Sequence, residues 1–194
     1  MIIAGVVLAG GRSRRFGRDK AREPLEGRPL IAWSLDALRP SCVRLAVNGP
    51  PDLAAAFGLP RIVDIEPAPP GPLAGIAGAL AWASQAGCTH CLTAPCDTPF
   101  LPADLGLRLS AAIAGEPVVA ARAVRCHPLC ALWRADLAAD LAQLARRNDH
   151  PPLQQIVDEL GGWADFADED AFANLNTPED FAAAAGRLEA HRSR

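Results

Sequence analysis

Two hydrophobic rhythms alternate along the chain. Ile2–Leu8 is an unbroken apolar run that stops at Gly10-Gly11, the pattern of a strand buried on both faces. Leu30–Leu38 then carries apolar residues at helical spacing. Val43–Val47 reads as a second strand, closed by Asn48-Gly49-Pro50. Leu53–Phe57 reads as a short helix, and Arg61–Val63 as a third strand ending at Asp64. Pro67, Pro69, Pro70, Gly71 and Pro72 make a loop. The Ala-rich segment Leu73–Gln85 follows as a helix with Pro72 near its first turn. His90–Thr93 is a fourth strand, and Ala94–Pro99 a proline-rich turn. A helix is expected near Pro102–Ala114, strands at Pro117–Arg122 and Leu129–Trp133, and a helix at Ala135–Arg146. Thr177-Pro178-Glu179 opens a last helix with a good N-cap and a proline in its first turn.

Strands that alternate with helices over the first two thirds predict a three-layer α/β fold with a mostly parallel, Rossmann-like sheet. No internal repeat or long linker divides the chain, so residues 1–194 are expected to form one domain. The 194 residues are 50% hydrophobic, enough for a core without disulfides or a structural metal. Apolar runs fall short of the roughly 20 residues that span a bilayer. The N-terminus lacks a basic leader segment, and six cysteines then read as reduced thiols. These features predict a cytoplasmic protein with no membrane contact. The net charge of −3 provides no general basic field for nucleic acid.

Charge is nevertheless concentrated in one place. Arg12, Arg14, Arg15, Arg18 and Lys20 follow Gly10-Gly11 directly after the first strand. In open α/β sheets, ligands collect beyond the carboxyl ends of the strands. Paired glycines let backbone N–H groups approach an anion, while arginine forks and a lysine point charge suit phosphate. The glycines at 10, 11 and 17 match neither the P-loop nor the dinucleotide fingerprint. A solvated basic turn is the competing reading.

Asp97, in Pro95-Cys96-Asp97-Thr98-Pro99, is placed to hold a divalent cation through oxygen; the competing reading is an Asx turn. Asn48 and Asp64 end predicted strands on the same rim, where they can contact a base or ribose. Gly71-Pro72-Leu73-Ala74-Gly75 starts a helix whose free N–H groups suit an anion or a closely approaching base. In Asn174-Leu175-Asn176-Thr177-Pro178-Glu179, Thr177 alone would supply a helix cap, leaving two asparagines without a capping role.

Together these segments resemble the molybdenum cofactor guanylyltransferase family from Val7 to about Phe181. The resemblance rests on Leu8-Ala9-Gly10-Gly11, Arg14-Arg15-Phe16-Gly17 and Asp19-Lys20, then on the motifs at 71–75, 95–99 and 174–179. It implies a nucleotidyltransferase domain. The implied reaction moves GMP from GTP to the phosphate of molybdenum-molybdopterin, with Mg²⁺, releasing pyrophosphate. Implied GTP contacts are Leu8, Ala9, Gly10, Gly11 and Lys20. Asn48 and Asp64 would face the guanosine, and Asp97 would contact nucleotide and metal. Lys20 and Arg15 would stabilise the transferring phosphate. Gly71, Asn174 and Asn176 match family motifs, with less defined roles. Implied protein partners donate molybdopterin or mature molybdoenzymes. Phe16 departs from a common family Met, and Gly17-Arg18-Asp19-Lys20 is short; neither removes a phosphate contact.

Three alternatives stay open: a molybdopterin cytidylyltransferase, another small-molecule nucleotidyltransferase, and a nucleotide-binding regulator. The cytidylyltransferase branch favours Leu-Ala-Ala-Gly and Gly-Asp-Met-Pro, so Gly10-Gly11 and Cys96-Asp97-Thr98-Pro99 lean toward guanine. Cys88-x₂-Cys91 and Cys126-x₃-Cys130 have a loose zinc spacing, but strand alternation would turn Cys88 and Cys91 to opposite faces. His127, before Pro128, reads as structural, with contact to a second substrate as the alternative. The four tryptophans read as core or partner surface.

Overall fold

The structure, a computed structural model, describes residues 1–10 and 20–192. In chain order come β1 (Ile3–Leu8), the hairpin β2 (Pro24–Leu25) and β3 (Arg28–Pro29), α1 (Leu30–Leu38), β4 (Arg44–Asn48), α2 (Pro51–Ala56), β5 (Arg61–Ile62) and α3 (Pro72–Gln85). Then follow β6 (His90–Pro95), α4 (Leu105–Ala112), β7 (Val118–Arg122), β8 (Cys126–Arg134), α5 (Ala138–Ala145), α6 (Leu153–Leu160), β9 (Gly162–Asp165) and α7 (Pro178–Arg192). Seven strands form one sheet in the order β5-β4-β1-β6-β8-β7-β9. Its first four strands are mutually parallel, β8 runs antiparallel to both neighbours, and β9 pairs parallel with β7. The expected three-layer, mostly parallel fold is observed.

Alternation along β1 builds both layers. Ala4, Val6 and Leu8 point into a core with α3, α5 and α6, where Ile76, Leu80, Leu141, Ile156 and Val157 are buried. Ile3 and Val7 point into the other core with Ile31, Leu35 and Leu38 of α1, Leu53 of α2 and Leu105 and Leu109 of α4. A satellite cluster of Leu25, Leu30, Leu175 and Ala184, with Trp33, Phe100 and Phe181 against it, seats α7 on the small hairpin. Among the described residues, no helix is long and apolar enough to cross a membrane.

The pattern reading missed α6 and β9. Leu153, Ile156, Val157 and Leu160 do follow helical spacing. β9 has four residues, Gly162–Asp165, and only Ala164 is buried, too short to show a period. β8 begins at Cys126, three residues before the predicted Leu129. Its pairing with β7 is irregular between Ala120 and Ala121, where the partner jumps from Ala131 to His127. The alternation argument for Cys88 and Cys91 fails. Cys88 precedes the strand, just after the left-handed Gly87 (φ 76°), and both cysteines pack into the core shared with α3.

One close contact sets the edge of the sheet. A Cβ on Gly78 of α3 would lie 2.3 Å from the Val63 carbonyl oxygen, so glycine lets the chain after β5 rest on the helix just before Asp64. Alanine at an exposed helix position would gain up to about 1 kcal/mol in propensity. Here the clash with rigid backbone dominates. Gly78→Ala is expected to destabilise the fold by about 1–3 kcal/mol, read as a lower urea midpoint; an unchanged or raised midpoint would refute the contact.

Candidate active site

The carboxyl ends of β5, β4, β1 and β6 form one rim. The Ala9 N–H donates to the Asn48 carbonyl at 2.7 Å, and the Cys96 N–H to the Leu8 carbonyl at 3.1 Å. These bonds extend the parallel ladders one residue past the strands. They hold Asn48, Ala9 and the Asp97 turn side by side.

At the outer end of the rim, buried Asn48 donates through Nδ2 to Asp64 Oδ1 at 2.8 Å. Its Oδ1 faces two glycines: a Cβ on Gly10 or on Gly75 would approach it to 2.8 Å. Glycine at both positions therefore gives the amide room. Ala9, Gly10, Asn48, Gly49, Pro50, Arg61–Asp64 and Glu66 line a cavity of about 350 Å³. Gly71 immediately precedes α3, with open space where a side chain would stand.

At the inner end, Lys20 Nζ lies 2.7 Å from Asp97 Oδ2 and donates to Asn176 Oδ1, also at 2.7 Å. The lysine is only 9% exposed. A charge withdrawn this far from water needs a partner, and here a carboxylate and an amide oxygen supply it from 77 and 156 residues away. The Asp97 turn is secured from below. Buried Ser34 of α1 donates to the Pro95 carbonyl at 2.9 Å, and the Leu175 N–H donates to the Asp97 carbonyl at 2.9 Å. Lys20, Glu23, Pro24, Asn176, Thr177, Pro178 and Phe181 line a second cavity of about 390 Å³.

The structure thus brings Leu8, Ala9, Gly10, Asn48, Asp64, Lys20, Asp97 and Asn176 onto one rim. Gly11 and Arg15, with Arg12, Arg14 and Arg18, lie outside the described residues. Asn174 is exposed. Thr177 does cap α7, its Oγ1 accepting the Asp180 N–H at 3.1 Å, while Asp180 Oδ2 accepts the N–H groups of Asn176 and Thr177. That arrangement leaves the Asn176 side chain to Lys20. Sequence reasoning missed Ser34, whose signal was a polar residue on the apolar face of a helix.

Among the described residues, no group of three or more His, Cys, Asp or Glu can cage a metal ion. A lone carboxylate does suit a hard cation that keeps water and takes its other ligands from phosphate. Burial pushes the Cys42 thiol up to about 12, and Cys91 and Cys130 are raised by the same cause.

An ionic cluster lies at the start of β8. Glu169 Oε1 pairs with Arg125 Nε at 2.5 Å, and its Oε2 accepts the Arg125 N–H at 3.0 Å. His127 Nε2 lies 3.3 Å from the same oxygen. Its ring stacks on Phe172, centroids 4.5 Å apart, which accords with a structural histidine.

A mostly parallel sheet with an acidic turn after β6, and a lysine paired to that turn on the rim of strand ends, define a nucleotidyltransferase-type α/β protein. A model of the MobA-like NTP transferase domain matches residues 5–162. The molybdenum cofactor guanylyltransferase of Cereibacter sphaeroides is 42% identical over 191 residues, covering 97% of this chain and 98% of that protein. The molybdenum cofactor guanylyltransferase of Rhizobium johnstonii is 41% identical, covering 98% and 95%. Among solved structures, molybdopterin-guanine dinucleotide biosynthesis protein A from Archaeoglobus fulgidus superposes with TM-score 0.75 at 23% identity, covering 97% and 100%. A nucleotidyl transferase from Methanothermobacter thermautotroptrophicus gives TM-score 0.76 at 17% identity, covering 98% and 99%. The chain belongs to the MobA-like NTP transferase family.

Glu169 makes a prediction about acid stability. Burial alone would raise its carboxyl, but the Arg125 and His127 hydrogen bonds outweigh it and hold the group at about 2, against an ordinary 4.5. Between these values the unfolded chain binds more protons than the folded one, so stability rises with pH. The contribution is complete above 4.5 and is lost as pH falls toward 2. In urea titrations at a series of pH values, Glu169→Gln is expected to flatten the profile across that window. An unchanged slope would contradict the pairing.

Proposed function

We propose that the chain transfers GMP from GTP to the terminal phosphate of molybdenum-molybdopterin, forming the guanine dinucleotide cofactor and pyrophosphate, with Mg²⁺ bound at Asp97. The observation that carries this reading is the buried Lys20 ammonium, held at 2.7 Å by both Asp97 and Asn176 on the phosphate-loop rim. The names of the relatives support the acceptor and the nucleotide.

In this reading an acceptor phosphate oxygen attacks the α-phosphorus of GTP. The new P–O bond forms as the bond to the bridging oxygen of the β-phosphate breaks, and the leaving electrons reside on pyrophosphate. The nucleophile is ionised at neutral pH, so no general base is required. The protein's contribution is alignment and charge neutralisation. The bound cation would neutralise charge on the triphosphate and the leaving group. Lys20 donates to phosphate oxygens in place of one of its present partners, and Arg15 adds a guanidinium fork. In this reading Leu8, Ala9 and Gly10 contact the GTP at the end of β1, and Gly11 continues that contact into the phosphate loop.

Asn48 and Asp64 hold the guanosine end in the cavity of about 350 Å³, with Gly71 and the start of α3 beside it. The cavity lined by Lys20 and Asn176, of about 390 Å³, suits the acceptor, with Asn174 near its entrance. Proteins that deliver molybdopterin and receive the product would meet this rim. In this reading the reaction takes place in the cytoplasm.

Steady-state assays of pyrophosphate release test the reading. Lys20→Ala and Asp97→Ala are each expected to lower turnover by about 10²-fold or more. Both variants should remain folded, at a cost of about 1–3 kcal/mol for Lys20→Ala and about 3–5 kcal/mol for Asp97→Ala, which leaves the Lys20 charge buried without its carboxylate. Near-normal turnover in Asp97→Ala would overturn the metal assignment. Calorimetry of the parent with Mg²⁺ should show GTP bound more tightly than CTP; the reverse order would overturn the choice of guanine.

A further inference from the structure

Residues 165–176 run along the rim as a strap, from the far edge of the sheet to Lys20. At one end the Phe166 N–H donates to the Arg122 carbonyl at 2.7 Å. At the other, Leu175 binds the Asp97 carbonyl and Asn176 binds Lys20. Residues 173–176 belong to no helix or strand, so no regular ladder determines their place. Their position depends on where the strap is pinned.

The nearest pin is the cluster at the start of β8. His127 meets the strap twice, through Nε2 at Glu169 and through its ring at Phe172, stacked with an interplanar angle of 17°. The carboxylate only accepts, so the Nε2–H tautomer fits it. Arg125 closes the cluster with two hydrogen bonds to Glu169. Phe172 is buried and stands edge-on to Phe166, centroids 5.2 Å apart. Apolar burial alone resists removal of the strap but is non-directional. The imidazole–carboxylate bond and the Arg125 pair add direction, fixing rotation and register at Glu169, six residues before Leu175. Arg187 of α7 also reaches the strap, at the Asp170 carbonyl and Asp168. The Arg187 and Arg125 pairs both lie in exposed surroundings, where such pairs contribute little, so the part-buried His127–Glu169 contact is the stronger pin.

We propose that His127 is a positioning residue: with Arg125 and Glu169 it clamps the strap so that Leu175 and Asn176 hold Asp97 and Lys20 in register for phosphoryl transfer. The catalytic part of this proposal rests on the nucleotidyl-transfer reading above. Asn48 and Asp64, at the opposite end of the rim, are not tied to the strap. Losing the clamp therefore affects alignment of the phosphates and spares nucleoside binding.

The test uses the full chain with GTP, Mg²⁺ and molybdopterin acceptor, together with amide hydrogen exchange on the protein alone. His127→Ala is expected to lower kcat by about tenfold to 10²-fold, the scale of a misplacement near 1 Å, with KM for GTP changed by less than about twofold. His127→Gln, which can place an N–H near the position of Nε2, should recover much of the loss. The Leu175 amide should exchange about tenfold faster in His127→Ala, while the Ala9 and Cys96 amides keep their protection. In an Asn176→Ala background, adding His127→Ala should cost less than about threefold more, because both changes act through one contact. If His127→Ala does not fold, Glu169→Gln carries the same measurements. Unchanged Leu175 protection, a loss confined to KM, or fully multiplicative losses in the double variant would each overturn the proposal. Absence of GMP transfer by the parent would instead refute the preceding reading, since the exchange measurement needs no turnover.

Discussion

A lysine ammonium that is nearly removed from water organises this molecule. Lys20 stands at the start of a short helical turn, and its Nζ is held at 2.7 Å by Asp97 from the β6 turn and by Asn176 from the strap. Burying a lone charge would cost several kcal/mol, so the fold that buries Lys20 must bring both partners with it. That requirement joins three segments of the chain distant in sequence. It also leaves a cation, a carboxylate and an amide next to one another on the rim of strand ends.

The remaining contacts serve that arrangement in graded ways. β1 lies between β4 and β6, so hydrogen bonds from Ala9 and Cys96 align three strand ends without any side-chain contribution. Ser34 then ties the Pro95 turn to α1 from inside the core. On the outer side, Gly10, Gly75 and Gly78 allow close approach of Asn48, Asp64 and the Val63 carbonyl. Each glycine leaves out a side chain at a position where backbone or amide must come close. The site is rigid where the parallel strands hold it. It depends on side-chain pins where the irregular strap crosses it.

That division also marks what could be read beforehand. Strands at 2–8, 43–47 and 90–93 were legible because a strand buried on both faces carries a strong apolar signal over its whole length. Asn48, Asp64 and Asp97 were legible as neighbours on one rim because each lies at or just beyond the carboxyl end of a strand, and strand ends of a parallel sheet share a rim. β9 was not legible, since four residues with one buried side chain have no period to detect. The partnership of Arg125 and His127 with Glu169 was hidden for another reason. Charge pairs separated by 42 to 44 residues leave no local pattern. The surplus asparagines before the last helix were visible, but Thr177 and Asp180 complete the cap and only the fold shows that Asn176 turns to Lys20.

By itself the sequence determined the layered α/β fold, the rim of strand ends and most of the residues placed there. Those properties follow from local periodicity and from motifs whose residues are neighbours in the chain. The tertiary structure alone decided which polar groups meet. It gave Lys20 to Asp97 and Asn176, Asn48 to Asp64, and His127 to Glu169 and Phe172. Hydrogen bonds act over about 3 Å, so such pairings are set by how the elements pack, and local composition carries no record of them.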